Sequence, residues 1–375
     1  MRSVAVAALS LACAVAGAQD VPGRAALLER AESELARGSA TAAAEIFERA
    51  ALMLHAPDTE MGLVRAYMQD GEYRRALAFC AHAAGAHLEA PAAGALYAWL
   101  LRAGGQDAYA DRLLGELTAR APSDGIVVDE GRAFAAPWPL AVGALLDAPH
   151  RMAPYASSSP GESPVPDDAR VVSTGVSIDA GRRALVPASG LGLPLPRRIW
   201  LRNGLGQTRE AWVDTSASSL EGIVALAVQA PFETRGFDVV APREPFAGSP
   251  GFVVEYSASA NAVAAWPWLR RGFLGSATRS MPNLRRLGIE VADGPHGGPV
   301  FDAAGHLAGI AVSGPGQQPF FLAASSWQGV FTGAGVAAST QTSDPVLHAA
   351  TPPLIAVDEA YERALRVALQ VILAP

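Results

Sequence analysis

The chain has 375 residues, of which half are hydrophobic and 17% are charged. This length is sufficient for two or three domains with their own cores, and the apolar content excludes a mainly disordered chain. The formal net charge of −7 argues against a non-specific nucleic-acid binder, because such proteins carry a basic surface. We therefore expect no nucleic-acid partner.

Residues 1–18 have the composition of a secretory signal peptide. Arg2 precedes the apolar run SVAVAALSLACAVAGA, which is too short to span a bilayer and ends in small residues that favour cleavage after Ala18. We predict a periplasmic or secreted protein with no integral membrane segment after cleavage. A lipoprotein cleaved before Cys13 is the less favoured alternative, because Leu9 lies one position too far from that cysteine. Cleavage leaves Cys80 without a cysteine partner, so no internal disulfide is expected.

Residues 19–122 contain an internal repeat with a period of 33 to 34 residues. Each unit has a glycine, an alanine five residues later and a larger apolar or thiol side chain nine residues after the glycine. These positions are Gly38, Ala43 and Phe47, then Gly71, Ala76 and Cys80, then Gly105, Ala110 and Leu114. The glycine permits a tight turn, the alanine lets two helices approach closely, and the larger residue fills the groove between them.

This period and pattern resemble tetratricopeptide repeats. The resemblance implies a helical repeat array with a concave surface, and hence a protein or peptide partner. A generic alanine-rich helical bundle is the alternative interpretation.

Residues 123–168 form a predicted connector and linker. The segment PYASSSPGESPVPDD, residues 154–168, is rich in proline, serine and glycine, which is typical of an exposed loop.

From residue 169 the hydrophobic period changes to two, and short apolar runs alternate with turn residues. Asn203-Gly204 between two such runs predicts a hairpin. Many strands without intervening helices indicate a sandwich or a pair of barrels over residues 169–330. Within it, residues 261–275 are interpreted either as a loop over a cleft or as a segment in which Trp266 and Trp268 pack on a barrel while Arg270 and Arg271 are solvated.

Residues 331–375 are predicted as a loop followed by a C-terminal helix from Val357 to Leu373. Apolar residues recur there at intervals of three and four, as in an amphipathic helix. They are Tyr361, Ala364, Leu365, Ala368, Leu369 and Ile372.

Three segments, STGVSIDAGRRALVPASGL, NGLGQTREAWVDTSASSLEGIVALAV and GPHGGPVFDAAGHLAGIAV, follow one another between residues 173 and 312. In this order they resemble the trypsin-like serine proteases. The resemblance implies a multidomain α + β protein, with an N-terminal helical repeat array and a C-terminal antiparallel double β-barrel that carries a terminal helix.

The catalytic positions of that family fall on Ser189 for the base, Gly222 for the aspartate and His296 for the nucleophile. None of the three residue types is retained in place, so no catalytic residue is expected, because the mechanism needs hydroxyl, imidazole and carboxylate together. Gly294, Pro295 and His296 are expected to keep a residual oxyanion-type pocket. Because serine and histidine are exchanged, a reversed dyad of Ser189 and His296 is an alternative.

Other motifs with specific chemistry are absent from the sequence, including G-x-S-x-G, H-E-x-x-H and a phosphate-binding glycine loop. His82 and His87 lie five residues apart in a helical pattern, which is poor spacing for metal ligands. We expect no metal and no cofactor.

The sequence therefore predicts an exported protein- or peptide-binding pseudoprotease. Two alternatives stay open. One is an active serine-type endopeptidase with a rearranged site, to which His150 or Asp168 contributes. The other is an assembly scaffold of the cell envelope.

Overall fold

A computed structural model describes residues 21–120 except 89, 153–291 except 197, 218–221 and 278–282, 296–328 except 315 and 317, and 354–375. The predicted signal peptide, most of the connector, Gly294, Pro295 and His150 lie outside these residues. The chain divides into two compact units, one formed by residues 1–101 and 107–155 and the other by residues 102–106 and 156–375. Among the described residues, no helix has the length and apolar character needed to cross a membrane.

Residues 21–120 fold into six helices, as far as the structure describes them. The helices are α1 (Val21–Ala36), α2 (Ala40–Met53), α3 (Pro57–Asp70), α4 (Tyr73–Ala86), α5 (Pro91–Ala103) and α6 (Asp107–Arg120). The repeat glycines Gly38, Gly71 and Gly105 follow α1, α3 and α5, each with a positive φ between 76° and 82°. Glycine is favoured there because other residues rarely adopt this left-handed conformation.

The other repeat positions lie on the helices that follow these turns. Ala43, Ala76 and Ala110 are completely buried, and Phe47 and Cys80 are buried with them. Leu114 is half-buried against the cluster formed by Ala98, Leu101 and Ala110. In each of the three units, a small buried alanine therefore lies five residues after the glycine, and a larger side chain lies nine residues after it. Burial raises the pKa of the Cys80 thiol, and the nearby Glu60 charge adds to that effect.

Two buried ion pairs join the first and the third helix. Arg24 of α1 contacts Asp58 of α3, and Arg65 of α3 contacts Glu32 of α1. Tyr155 extends the second pair, because its hydroxyl donates a hydrogen bond to the Glu32 carboxylate over 2.5 Å. A guanidinium and a carboxylate buried together stabilise the helix packing only as a pair, since either charge alone in the interior is costly.

The segment predicted as a linker or exposed loop, residues 154–168, is mostly irregular, and part of it is held by hydrogen bonds to other strands. β1 (Ser157–Ser158) pairs in parallel with Gln207 and Thr208. The indole N–H of Trp200 donates a hydrogen bond to the Ser163 carbonyl over 3.0 Å. A segment rich in proline and serine contributes few apolar side chains, but its backbone groups still find hydrogen-bonding partners.

We expect Ala76→Leu to overpack the helical array and to lower the free energy of unfolding by about 1–3 kcal/mol. Ala76 is completely buried, whereas Ala108 is exposed on α6, so Ala108→Leu is the matched control. Chemical denaturation of the two variants measures the difference. Equal tolerance of leucine at both positions would contradict the packing described here.

The first barrel contains six antiparallel strands. They are β2 (Arg170–Ile178), β3 (Arg183–Pro187), β4 (Ile199–Asn203), β5 (Gln207–Val213), β6 (Ile223–Val228) and β13 (Ala368–Leu373). Their order is β5-β4-β13-β2-β3-β6, and pairing of β5 with β6 closes the sheet. The strands enclose a core of aliphatic residues that includes Val186, Leu201, Leu226 and Leu369.

The C-terminal segment corrects the prediction of one helix from Val357 to Leu373. The helix α9 (Val357–Val367) is present, but Ala368–Leu373 forms strand β13 between β2 and β4. All six residues of β13 are buried. Hydrophobic periodicity alone does not separate a buried helical turn from a short buried strand, which explains the error.

We expect Leu369→Ala to lower the free energy of unfolding by about 2–5 kcal/mol, because it opens a cavity in the closed barrel. Leu354→Ala is the control, since Leu354 lies upstream of α9 and is largely exposed. Surface substitutions of that kind change stability by about 0.5 kcal/mol or less. Thermal or urea unfolding compares the two; a small effect of Leu369→Ala would exclude the central position of β13.

The second barrel is also closed and six-stranded, in the order β10-β11-β12-β9-β8-β7. Its strands are β7 (Ser249–Glu255), β8 (Trp268–Ala277), β9 (Leu284–Gly288), β10 (Pro299–Asp302), β11 (Leu307–Ser313) and β12 (Pro319–Ala323). β8 resolves the alternatives for residues 261–275 in favour of the core, because Trp266 and Trp268 are buried. Outside the named strands, Val240 forms one isolated parallel bridge with Leu307.

Two short helices, α7 (Ala188–Leu191) and α8 (Ser325–Gln328), follow β3 and β12. The predicted hairpin at Asn203-Gly204 joins β4 to β5. Its Gly204 N–H donates a hydrogen bond to the Leu365 carbonyl of α9, and the Tyr361 hydroxyl of the same helix donates one to the Pro267 carbonyl.

Helices followed by two closed antiparallel barrels and a C-terminal helix confirm the predicted fold class, the trypsin-like double β-barrel.

Candidate functional site

Two of the three positions at which the resemblance places a protease triad lie at the surface. Ser189 is exposed on the short helix α7, directly after β3. Gly222 is exposed in the turn before β6 and has a φ of 75°. Glu221 lies outside the described residues, and Asp168 is exposed.

The third position, His296, is buried just before β10. Its Nδ1 lies 3.4 Å from Oε2 of Glu255, and the two side chains are only 7% and 11% exposed. Glu255 is the last residue of β7, and its other carboxylate oxygen accepts a 3.4 Å hydrogen bond from the Gly298 N–H. The carboxylate therefore contacts both the imidazole and the backbone of the segment that carries it.

Gly297 and Gly298 hold this segment close to both barrels. A Cβ atom at Gly297 would collide with the Thr174 carbonyl of β2, and a Cβ at Gly298 would collide with the Val254 carbonyl of β7. Gly297 also has a φ of 140°, which L-amino acids rarely adopt. The glycine pair is therefore required by packing, whatever chemistry the site performs.

Thr174 links the same strands through its side chain. The Tyr256 N–H donates a 2.8 Å hydrogen bond to the Thr174 hydroxyl oxygen, so the residue after Glu255 is fixed to β2. The Tyr256 phenol is buried, and its hydroxyl donates a 3.4 Å hydrogen bond to the Ala368 carbonyl of β13. Burial raises the pKa of this phenol, although the nearby Arg202 charge opposes the rise. Tyr256 thus stays neutral and acts as a structural link.

Burial also lowers the pKa of Arg202 to about 10, with Tyr256 acting in the opposite direction. Its guanidinium donates hydrogen bonds to the Thr208 hydroxyl over 2.8 Å and to the Ala262 carbonyl over 2.7 Å. These polar contacts inside the first barrel compensate part of the cost of burying its charge.

Glu255 is the residue that sequence reasoning missed. The signal was a single carboxylate at the end of the apolar run GFVV, residues 251–254, where a charge is not expected without a partner. Its partner, His296, lies more than forty residues later, and no local pattern joins them. Of the three residues expected to form an oxyanion-type pocket, Gly294 and Pro295 lie outside the described residues.

The arrangement joins an imidazole to an orienting carboxylate, which is the base and orienter part of a hydrolytic triad. The imidazole occupies the position at which the resemblance places the attacking hydroxyl. At this site the chain therefore has proton-binding groups where nucleophilic catalysis requires an activated oxygen or sulfur.

No family model matches the chain, and no curated protein shows significant sequence similarity to it. Solved structures of proteases are similar to part of it. The active form of the Rv3671c protease from M. tuberculosis is 17% identical, with a TM-score of 0.33, over 44% of this chain and 78% of that one. A serine endoprotease from Yersinia pestis is 15% identical, with a TM-score of 0.32, over 42% and 56%.

The HtrA-type protease AlgW with a decapeptide is also 15% identical, with a TM-score of 0.34, over 42% of this chain and 49% of that one. The fold assignment rests on the order and closure of the two barrels. They define a domain of the trypsin-like peptidase fold. In this chain, that domain carries His296 where the resemblance places the nucleophilic serine.

We expect His296→Ala to lower the free energy of unfolding by about 1–3 kcal/mol, because it leaves the buried Glu255 carboxylate without its imidazole. Glu255→Gln in the His296→Ala background should cost less than Glu255→Gln alone. A double-mutant cycle by urea denaturation measures this coupling, expected at about 0.5–3 kcal/mol. Additive effects would show that the two side chains do not interact.

Proposed function

We propose that the protein is an exported protein- or peptide-binding pseudoprotease. Its trypsin-like domain would hold an extended polypeptide without cleaving it, and its tetratricopeptide-like helical array would provide a second binding surface. The observation that carries this proposal is the buried pair of His296 and Glu255 at the nucleophile position. Export is inferred from the apolar segment that ends at Ala18.

The proposed absence of proteolysis is supported by the residue types at the three positions to which the resemblance assigns the triad. Ser189 is exposed on α7, Gly222 has no side chain, and His296 is paired with a carboxylate. In a triad enzyme, loss of the nucleophile or base alone lowers turnover by about 10⁶-fold. The retained glycine pair does not argue for activity, because the packing of Gly297 and Gly298 against β2 and β7 accounts for it.

Binding without cleavage agrees with how proteases of this fold hold their substrates. They pair an extended peptide with a barrel strand through main-chain hydrogen bonds, and those bonds do not depend on the triad. The helical array supports the same assignment, because stacked helix pairs present a continuous surface to a partner.

One observation favours an active endopeptidase as a second candidate. Glu255 contacts Nδ1 of His296, which is the role of the orienting carboxylate in a triad. A reversed dyad would then use Ser189 as the nucleophile and His296 as the base. Such a serine would lie on the opposite side of the imidazole from the expected oxyanion donors.

Labelling with a fluorophosphonate probe tests the proposal directly. We expect no serine of the purified mature protein to be labelled, and no cleavage of unfolded casein. His296→Ser supplies a hydroxyl but removes the imidazole, so this variant should also stay unlabelled. Mass spectrometry locates any labelled residue. Labelling at Ser189 that His296→Ala abolishes would refute the pseudoprotease assignment and establish the reversed dyad.

Binding is tested with peptides selected from a displayed random library on the mature protein. We expect selected peptides to bind with a stoichiometry of one and to be recovered intact. Recovery of cleaved peptides would indicate the endopeptidase. Failure to enrich any peptide, with stable capture of folded envelope proteins, would instead indicate the assembly scaffold.

A further inference from the structure

Glu60 is a buried carboxylate in the first turn of α3, with a side chain that is 4% exposed. One of its oxygens, Oε2, accepts no hydrogen bond from the described residues. A buried carboxylate oxygen without a hydrogen-bond donor is costly, so this position calls for a further positive partner.

Three imidazoles surround this carboxylate. Nε2 of His55, from the loop between α2 and α3, lies 2.7 Å from Oε1 of Glu60. Nε2 of His87, directly after α4, lies 3.3 Å from Oε2. His82 on α4 approaches Oε1 at 3.8 Å. The whole chain has seven histidines, so nearly half of them meet at one acidic side chain.

The ligand atoms of His55, Glu60 and His87 all lie within 4.8 Å of one another. Imidazole nitrogen and carboxylate oxygen bind zinc at about 2.0–2.2 Å, so the donor atoms of a tetrahedral site lie roughly 3–3.5 Å apart. Small side-chain rotations would bring the three donors to that spacing. We propose that His55, Glu60 and His87 form a binding site for a divalent transition-metal ion of the zinc class.

Ion pairing between histidine and glutamate explains this cluster less well. Glu60 carries one negative charge, whereas the rings of His55 and His87 lie 4.8 Å apart and would repel each other if both were protonated. A metal ion binds imidazoles in their neutral form and supplies the positive charge itself. It would satisfy the carboxylate and remove the repulsion at the same time.

The nearby thiol does not belong to the proposed ligand set. Cys80 on α4 is completely buried, and its Sγ lies 3.9 Å from the Ala93 carbonyl. Burial raises the pKa of this thiol, and its sulfur is not among the ligand atoms that lie within 4.8 Å of one another. The donor set of two imidazoles and one carboxylate leaves a fourth position for water or for a group of a bound partner.

The site would connect two helical hairpins of the repeat array. His55 precedes α3, Glu60 lies in the first turn of α3, and His87 follows α4, so the ion would join the start of α3 and the end of α4 to the preceding loop. A ligand that binds the folded state stabilises it according to its concentration relative to the dissociation constant. Zinc should therefore raise the melting temperature of the protein.

Zinc binding to the full mature chain, without an affinity tag, tests the proposal at pH 7.5. We expect one zinc ion per chain in competition with a chromogenic chelator. His55→Ala should weaken binding by about 100-fold, because outer-shell changes alone cost about 10- to 100-fold. His55 is exposed, so its removal leaves the core intact. Glu60→Gln keeps the shape of the side chain and should also weaken binding.

His306→Ala is the matched control, because it removes a histidine that pairs with Asp302 in the second barrel. It should leave stoichiometry, affinity and the zinc-dependent rise in melting temperature unchanged. Cobalt, bound in place of zinc, should give visible absorption bands in the wild type and in His306→Ala. Absence of stoichiometric zinc binding by the wild type would overturn the proposal. Equal affinity of the wild type and His55→Ala would do the same.

Discussion

Closure of the first barrel depends on β13. The strands β2 and β4 do not pair with each other, and each forms hydrogen bonds with one side of β13. Without it, both would present unpaired N–H and C=O groups, which are costly when buried and invite aggregation when exposed. The aliphatic core would also lose Leu369, Val371 and Leu373. The helix α9 that precedes β13 therefore has a fixed position, set by the register of this strand.

The candidate site depends on that closure. Thr174 lies on β2, pairs in register with Gln370 of β13, and fixes Tyr256 directly after Glu255. Gly297 packs against the carbonyl of the same Thr174, which brings His296 to the Glu255 carboxylate. Thr174 is thus one of the residues at which the two barrels contact each other. Packing of the glycine pair therefore fixes the segment that carries His296, the residue that the resemblance places at the nucleophile position.

The sequence predicted those features that have local causes. Turn glycines, buried alanines and the alternation of strand residues each follow from a few neighbouring positions, so the helices and most strands agree with expectation. The prediction failed where a distant part of the chain decides the structure. β13 is helical by its periodicity and becomes a strand because β2 and β4 lie on either side of it. Glu255 and His296, and likewise Glu60 and its histidines, meet through tertiary contacts that no spacing rule contains.

The late position of β13 has a consequence for the order of folding. Arg202 of β4 and Gln370 of β13 form a contact across 168 positions, and the whole second barrel lies between them in the chain. Local hairpins such as β4–β5 form as soon as their residues are available, whereas closing so long a loop carries a large entropic cost. The first barrel therefore starts to form from its N-terminal strands and is completed only when β13 pairs with β2 and β4. Until the final strand arrives, β2 and β4 offer a gap of one strand's width, which another extended polypeptide of matching alternation would fill.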